Sequence, residues 1–325
     1  MRETDWIETF VLKRAGDRSS TDFLGPGDDA ALLPPIADEC TVLSVDALIE
    51  GQHFRSDWLD DRALARRLLR SSVSDLAAMG ARPRGFLLSI ETPELPGRVG
   101  DQFWQGIDEE CQQLDLQLLG GNVARSGEAL SLHCTCVGTV AAERQWRRSG
   151  ACAGDVLVVT GNPGRAAQAR ERIASGEDLG ATDPWSAPQP RLQFATTLAG
   201  ALAQADGHRQ PAAIDISDGL MLDLKRLCEA NHCCARIDIG ALVEPDGSPL
   251  TEQVLGGGED YELLLAIEPA AWPILEQVAA QTGTAIHQIG TFTDEAHDQI
   301  EVWNGEQKIV AGDLGWDPFA ASKNQ

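Results

Sequence analysis

Ser44-Val45-Asp46-Ala47-Leu48-Ile49-Glu50-Gly51-Gln52-His53-Phe54 runs from an apolar strand into a polar turn. Thr41 to Val45 reads as the strand. It delivers Asp46, and Gly51 then carries the chain to His53. A carboxylate at a strand's end is held rigidly by the sheet while its head stays in water. The pattern recurs along the chain. Asp28 and Asp29 lie between Gly27 and the apolar run Ala30-Ala31-Leu32-Leu33. Asp75 interrupts an apolar helix. Asp215 ends Ala212-Ala213-Ile214, with Ser217-Asp218-Gly219 just after. Glu259-Asp260 follow Gly256-Gly257-Gly258 and precede a strand over Tyr261 to Ile267. The sequence reads as a frame that gathers carboxylates around metal ions and phosphates.

With 325 residues the chain has room for two domains, each with its own core. Its formal net charge of −24 sets it apart from an ordinary globular protein. Phosphate backbones are bound by clusters of Lys and Arg, so the balance argues against nucleic acid. An anionic substrate can sit among these carboxylates only with cations between. The eight cysteines form no Cys-x-x-Cys pair, which favours small buried thiols in a reducing compartment over zinc or redox chemistry. Met1-Arg2-Glu3-Thr4-Asp5 is charged, and no run approaches the ~18 apolar residues of a membrane span. The expectation is a cytoplasmic protein without a membrane partner.

Trp6, Ile7, Phe10 and Val11 at helical spacing predict a helix over 4–15. Strands follow over 30–33 and 41–48, with Pro34-Pro35 between them. Leu64, Leu68, Leu69, Val73 and Leu76 predict one long helix, capped by Asp60 or Asp61 and running to Met79. The remaining first half reads as strand 86–90, helix 98–114, strand 117–119 and strand 130–140. A boundary falls near 145–153. Beyond it, strands are expected at 156–160, 213–216, 235–239, 261–267, 285–291 and 299–303, and helices at 165–174, 191–205, 219–230 and 270–282. Helices and strands intermix in both halves, which makes an α/β or α+β protein of two domains.

The glycine-rich phosphate loop ending in Lys-Ser/Thr, the Gly-x-Gly-x-x-Gly fingerprint and the Gly-x-Ser-x-Gly elbow are all absent. If phosphate chemistry occurs here, metals must supply the positive charge. Asp28, Asp29, Asp46, Asp75, Asp215 and Asp218 offer the hard oxygens that magnesium takes beside water and substrate phosphate. Each also fits a plainer role, because Asp favours turns and helix caps. Asp75 resists that role best, since a bare carboxylate in a packed helix needs a partner. A lone His such as His53 is more often structural than a ligand contact. Arg147-Arg148 reads as an anion clamp or a solvated linker. Three glycines before Glu259 read as a flexible turn or as a close backbone approach to a ligand.

Taken together, Gly27-Asp28-Asp29-Ala30-Ala31, Asp46 to Phe54, Ser74-Asp75-Leu76-Ala77-Ala78-Met79-Gly80-Ala81, Arg148-Ser149-Gly150-Ala151, Asp215-Ile216-Ser217-Asp218-Gly219-Leu220 and Gly257-Gly258-Glu259-Asp260-Tyr261-Glu262 resemble the thiamine-monophosphate kinases, in the family's order. The resemblance implies an α/β (α+β) fold of two domains, shared with aminoimidazole ribonucleotide synthetase. Residues 1–148 are then an N-terminal domain that binds ATP and metal and pairs with its copy in a homodimer. Residues 149–325 are a C-terminal domain that completes the site. The implied reaction turns ATP and thiamine monophosphate into ADP and thiamine diphosphate, with several magnesium ions.

By motif, Asp29, Ser44, Asp46, Asp75, Asp215 and Asp218 are implied as metal ligands. Val45 is implied through its backbone only, because the family usually carries a hydroxyl residue there. Gly121, Asn122, Arg148 and Ser217 are implied at the nucleotide, and Asn122 at a metal as well. His53, Glu259 and Trp316 are implied at thiamine phosphate. Two departures stand out. Gly120-Gly121-Asn122-Val123 occupies the place of Gly-Gly-Asp-Thr, and Ser72 replaces an Asn before the Ser-Asp pair. Asn122, expected to face the metal cluster after the strand Leu116 to Leu119, keeps an oxygen and drops the charge. A phosphate oxygen of the acceptor is already anionic, so direct in-line attack needs neither a general base nor a phosphoenzyme. Competing readings are another ATP-dependent enzyme of the same fold, such as aminoimidazole ribonucleotide synthetase, and a weakly active or non-catalytic nucleotide-binding relative.

Overall fold

The computed structural model describes residues 1–14, 25–26, 30–180, 182–240, 242, 251–294, 299–310 and 314–316. Two compact units emerge. The first comprises Met1–Leu76, Ala81–Ala142 and Gly180–Thr182; the second comprises Ala77–Gly80, Glu143–Leu179 and Asp183–Gln325.

The first unit holds a short helix α1 (Glu3–Trp6), continued by a π turn over Ile7–Val11 and a 3-10 turn over Leu12–Arg14. Then come β1 (Glu39–Ile49), α2 (Asp61–Ser72), α3 (Ser74–Ala78, whose last two residues count with the second unit), β2 (Arg82–Thr92), α4 (Asp101–Leu114), β3 (Gln117–Arg125) and β4 (Ser131–Ala141). The sheet order is β1-β4-β2-β3, with β2 and β3 parallel and the other pairs antiparallel. Alternation along the strands divides the sheet into two faces. Leu48, Leu132, Cys134, Cys136, Phe86, Leu88 and Ile90 are buried on the face covered by helices. Leu43, Val45 and Leu87 point the other way and are 68%, 64% and 39% exposed.

The Asp60 carboxylate caps α2 by accepting from the Ala63 amide at 2.6 Å. α2 lies on α4, and Gly106 permits the approach: a Cβ there would sit 2.6 Å from the Arg62 carbonyl oxygen. Arg66 and Arg70 of α2 both pair with Glu110 of α4, which is 1% exposed. The single helix expected from Asp60 to Met79 is two helices, with the break at Val73. The Ser71 and Ser72 hydroxyls both donate to the Leu68 carbonyl (3.1 and 2.8 Å), which competes with the backbone ladder at the helix end. The strand expected over 30–33 reduces to one bridging residue, Leu32, ahead of Pro34-Pro35, which offer no amide donors.

The second unit contains β5 (Val156–Thr160), α5 (Arg165–Ala174), α6 (Leu192–Gln204), β6 (Ala212–Ile216), α7 (Leu220–Asn231), β7 (Cys234–Asp238), α8 (Thr251–Gly256), β8 (Glu262–Ile267), α9 (Trp272–Thr282), β9 (Ile286–Thr293), β10 (Ile300–Asn304) and β11 (Gln307–Ile309). Its strand order is β11-β10-β7-β9-β5-β8-β6. Leu157, Val159, Ile214, Ile216, Leu224 and Leu264 belong to its buried core. β6 and β8 are antiparallel, pairing Asp215 with Leu263 and Ile216 with Glu262. The end of β6 therefore meets the start of β8, so two separate acidic motifs share one sheet corner.

Candidate active site

In the first unit, Ser44 and Asp46 alternate onto the helix-covered face of β1, and α3 brings Asp75 to them in its first turn. The Ser44 hydroxyl donates to the Asp75 carboxylate. Burial first, and then the Asp75 charge, push the Asp46 carboxyl up to about 7. Two carboxylates and a hydroxyl therefore meet here. This is a donor set that suits magnesium, which takes one or two carboxylates and fills its other positions with water and phosphate. Among the described residues no group of three or more His, Cys, Asp and Glu is placed to hold a metal. Asp28 and Asp29 lie outside the described residues.

His53 follows a tight turn. Its amide donates to the Ile49 carbonyl (2.9 Å), and its Nδ1 accepts from the Ile49 amide (3.0 Å). In the neutral ring, an accepting Nδ1 puts the proton on Nε2 and makes that edge a donor. Gly121 and Asn122 line a cavity of about 820 Å³ with Trp6, Leu87, Trp104 and His133. That volume falls in the range of small-molecule sites.

The register separates Asn122 from Asp46 within one chain. Asp46 pairs with Cys134, Cys134 with Leu88 and Leu88 with Gly121; the neighbouring row is Ala47, His133, Ser89 and Asn122. Asn122 therefore belongs to the open face, three strand spacings (about 14 Å) from β1. The expectation that it faces the Asp46 cluster is not met inside a single chain. Val45 shares that open face.

In the second unit the motifs converge. The Glu259 amide donates to the Ser217 carbonyl (2.7 Å), the Tyr261 amide to Ile216 (2.9 Å), and the Trp316 amide to Asp218 (2.9 Å). Glu259 and Tyr261 adopt φ of 62° and 54°, a left-handed conformation that costs a non-glycine residue about 1–3 kcal/mol and persists where its surroundings impose it. Asp215 is buried and alternates away from Ile214 and Ile216, which join the core. Arg226 Nη1 pairs with Asp218 Oδ2 (2.7 Å) and Asp223 Oδ1 (2.6 Å). Asp223 Oδ2 accepts from the amides of Ser217 and Asp218 (3.1 and 3.0 Å). Burial, with the Asp218 charge adding to it, raises the Asp223 carboxyl to about 6, opposed by the Asp218 amide and by Arg226. Arg148 lies apart from this corner. Its carbonyl accepts from Asn231 at the far end of α7 (2.7 Å), about 18 Å of helix from Ser217.

Comparison with known proteins gives this geometry a family. Residues 27–140 match the AIR synthase related protein, N-terminal domain, and residues 153–302 match the AIR synthase related protein, C-terminal domain. A thiamine-monophosphate kinase of Synechococcus elongatus is 34% identical over 310 residues, spanning 90% of this chain and 91% of the relative. The chain belongs to the thiamine-monophosphate kinase family. The crystal structure of the thiamine-monophosphate kinase from Stenotrophomonas maltophilia K279a superposes with a TM-score of 0.74 at 30% identity, covering 92% of this chain and 94% of that one. AaThiL, solved in complex with AMPPCP and TMP, shares the fold at 24% identity and a TM-score of 0.68, covering 97% of this chain and 98% of that one.

The two-domain fold of the thiamine-monophosphate kinases is thus the one observed. Sequence reasoning missed Asp223 and Arg226, which shape the Ser217-Asp218 turn of this kinase. An Asp four residues past a glycine that opens a helix, followed by an Arg three residues on, was the available signal. It also missed Arg170 and Trp185, whose partners are remote in sequence and so leave no local pattern.

Proposed function

We propose that this chain phosphorylates thiamine monophosphate to thiamine diphosphate by direct in-line transfer from ATP, assisted by several magnesium ions. As a thiamine-monophosphate kinase it is a phosphotransferase with a phosphate acceptor. An oxygen of the acceptor phosphate bonds to the γ-phosphorus as the bond from that phosphorus to the β-bridging oxygen breaks, and ADP leaves. The nucleophile is already an anion, so no side chain has to remove a proton. Bound magnesium supplies charge neutralisation, letting the two anions meet and easing departure of ADP. Ser44, Asp46 and Asp75 would hold it in the first unit and Asp215 and Asp218 in the second, with Asp29 and the Val45 backbone completing the implied set.

Gly121, Asn122, Arg148 and Ser217 are assigned to the nucleotide. His53, Glu259 and Trp316 are assigned to thiamine phosphate, with the Nε2 edge of His53 suited to donate to a phosphate oxygen. The AaThiL complex with an ATP analogue and TMP supports both ligands. Asn122 and Val45 lie on the exposed apolar sheet face with Leu43 and Leu87, so a homodimer formed through this face would bring a second copy's residues to them. Among the described residues no helix is long and apolar enough to cross a membrane. We place the kinase in the cytoplasm, beside its ATP supply.

The observation that carries the reading is the corner where β6 meets β8. There Ser217, Asp218, Glu259 and Trp316, drawn from three separate motifs, share backbone hydrogen bonds. The test is to incubate the purified protein with ATP, magnesium and thiamine monophosphate. Formation of thiamine diphosphate is expected, and ATP hydrolysis with no new thiamine species would reject the acceptor.

A further inference from the structure

Glu259 is held more tightly than a surface carboxylate. Arg170 Nη1 and Trp185 Nε1 both donate to the same oxygen, Oε2, each at 2.9 Å. The two donors come from different places: Arg170 from the middle of α5, and Trp185 from the turn over 183–187. Trp185 is fully buried, and a buried indole N–H needs an acceptor. That turn is set by Asp183 Oδ1, which accepts the amides of Trp185 and Ser186 (2.9 and 3.0 Å).

The neighbouring Asp260 ties the same loop to the start of α5. Its carboxylate accepts the amides of Gly164 (2.8 Å) and Ala166 (3.1 Å). The loop thus grips α5 twice, at its first turn through Asp260 and along its body through Glu259. With its backbone bound to Ser217 and one oxygen pinned by two donors, the Glu259 head has a single position. Its side chain is 17% exposed, so it is not sealed from solvent.

We infer that Arg170 and Trp185 are positioning residues for the acceptor: they fix the Glu259 carboxylate where it meets the thiamine moiety of thiamine phosphate, whose thiazolium ring is cationic and whose pyrimidine ring carries an amine donor. This rests on the assignment of Glu259 to that substrate. With Glu259 assigned to the acceptor and not to ATP, loss of either donor is expected to act on acceptor recognition and spare ATP.

Steady-state kinetics with each substrate varied, alongside thermal melts, test this on Arg170→Gln, Arg170→Lys, Trp185→Phe and Glu259→Gln. Trp185→Phe keeps a buried ring and removes the indole N–H. Arg170→Gln and Trp185→Phe are expected to raise KM for thiamine phosphate about tenfold, as loss of one charge-assisted orienting contact does, with KM for ATP unchanged. Arg170→Lys, which keeps the charge, recovers part of the loss. If Glu259→Gln raises that KM while Arg170→Gln and Trp185→Phe do not, the positioning role is overturned. If both substrates' KM values rise together with a fall in melting temperature, the contacts are only structural and the inference again fails. If Glu259→Gln leaves thiamine phosphate untouched, the assignment of Glu259 itself falls.

Discussion

Asp46 carries the sharpest residue-scale consequence. Its carboxyl is raised from 3.8 to about 7, so between those pH values the folded chain binds more protons than the unfolded one. Its contribution to stability is present below about pH 4 and is lost as pH rises through about 7. In chelator at pH 8 the buried charge opposes folding, and Asp46→Asn should raise the melting temperature by about 2–4 °C per kcal/mol relieved. At pH 4 the two proteins should melt together. With magnesium and both substrates, the same variant should lose turnover by orders of magnitude. A melting difference that is equal at both pH values would reject the buried-charge account of Asp46.

His53→Ala should raise KM for thiamine phosphate while ATP affinity stays within a few-fold; collapse of ATP affinity alone would mean that the two sides are reversed. Asn122→Asp adds a charge on the open sheet face and should shift the magnesium dependence of the initial rate to lower concentration. An unchanged requirement would show that Asn122 is not a weakened metal site.

At the scale of elements, α2 and α4 depend on one close approach. Gly106→Ala would place a methyl group against the Arg62 carbonyl and the Ala65 side chain, and overpacking of this kind costs about 1–3 kcal/mol. Its melting temperature should fall while the KM values of the folded fraction hold; altered KM values would mean that this packing reaches the site. Elements with strong periodicity were legible in advance: β5, α5, α7 and α9 lie within a few residues of their expected spans.

The misses have local causes. Two serine hydroxyls break the helix before Asp75, so that carboxylate sits in a first turn, not mid-helix. β3 extends to Arg125 through two glycines because parallel pairing with β2 sustains it, which no local propensity reports. The motif residues of the second unit were legible individually. Their meeting was not, because it depends on β8 returning beside β6, a long-range pairing. The faces of β1 were legible from alternation. The place of Asn122 was not, because it depends on strand order.

At the scale of the molecule, the open face of the first sheet is the feature to be explained. Leu43, Val45 and Leu87 form an apolar surface on a chain whose net charge is −24. A second copy covering it would remove this apolar area from water. If the proposed homodimer forms through this face, the wild type should sediment as a dimer and Leu43→Glu as a monomer with lower turnover; a monomeric wild type, or a monomeric, fully active variant, would refute the shared site. The reaction itself is tested most directly by the rate of thiamine diphosphate formation from ATP and thiamine monophosphate, with magnesium and then with excess chelator. Stoichiometric conversion that stops on chelation is the predicted result. Undiminished conversion in chelator, or none in saturating magnesium, would contradict it.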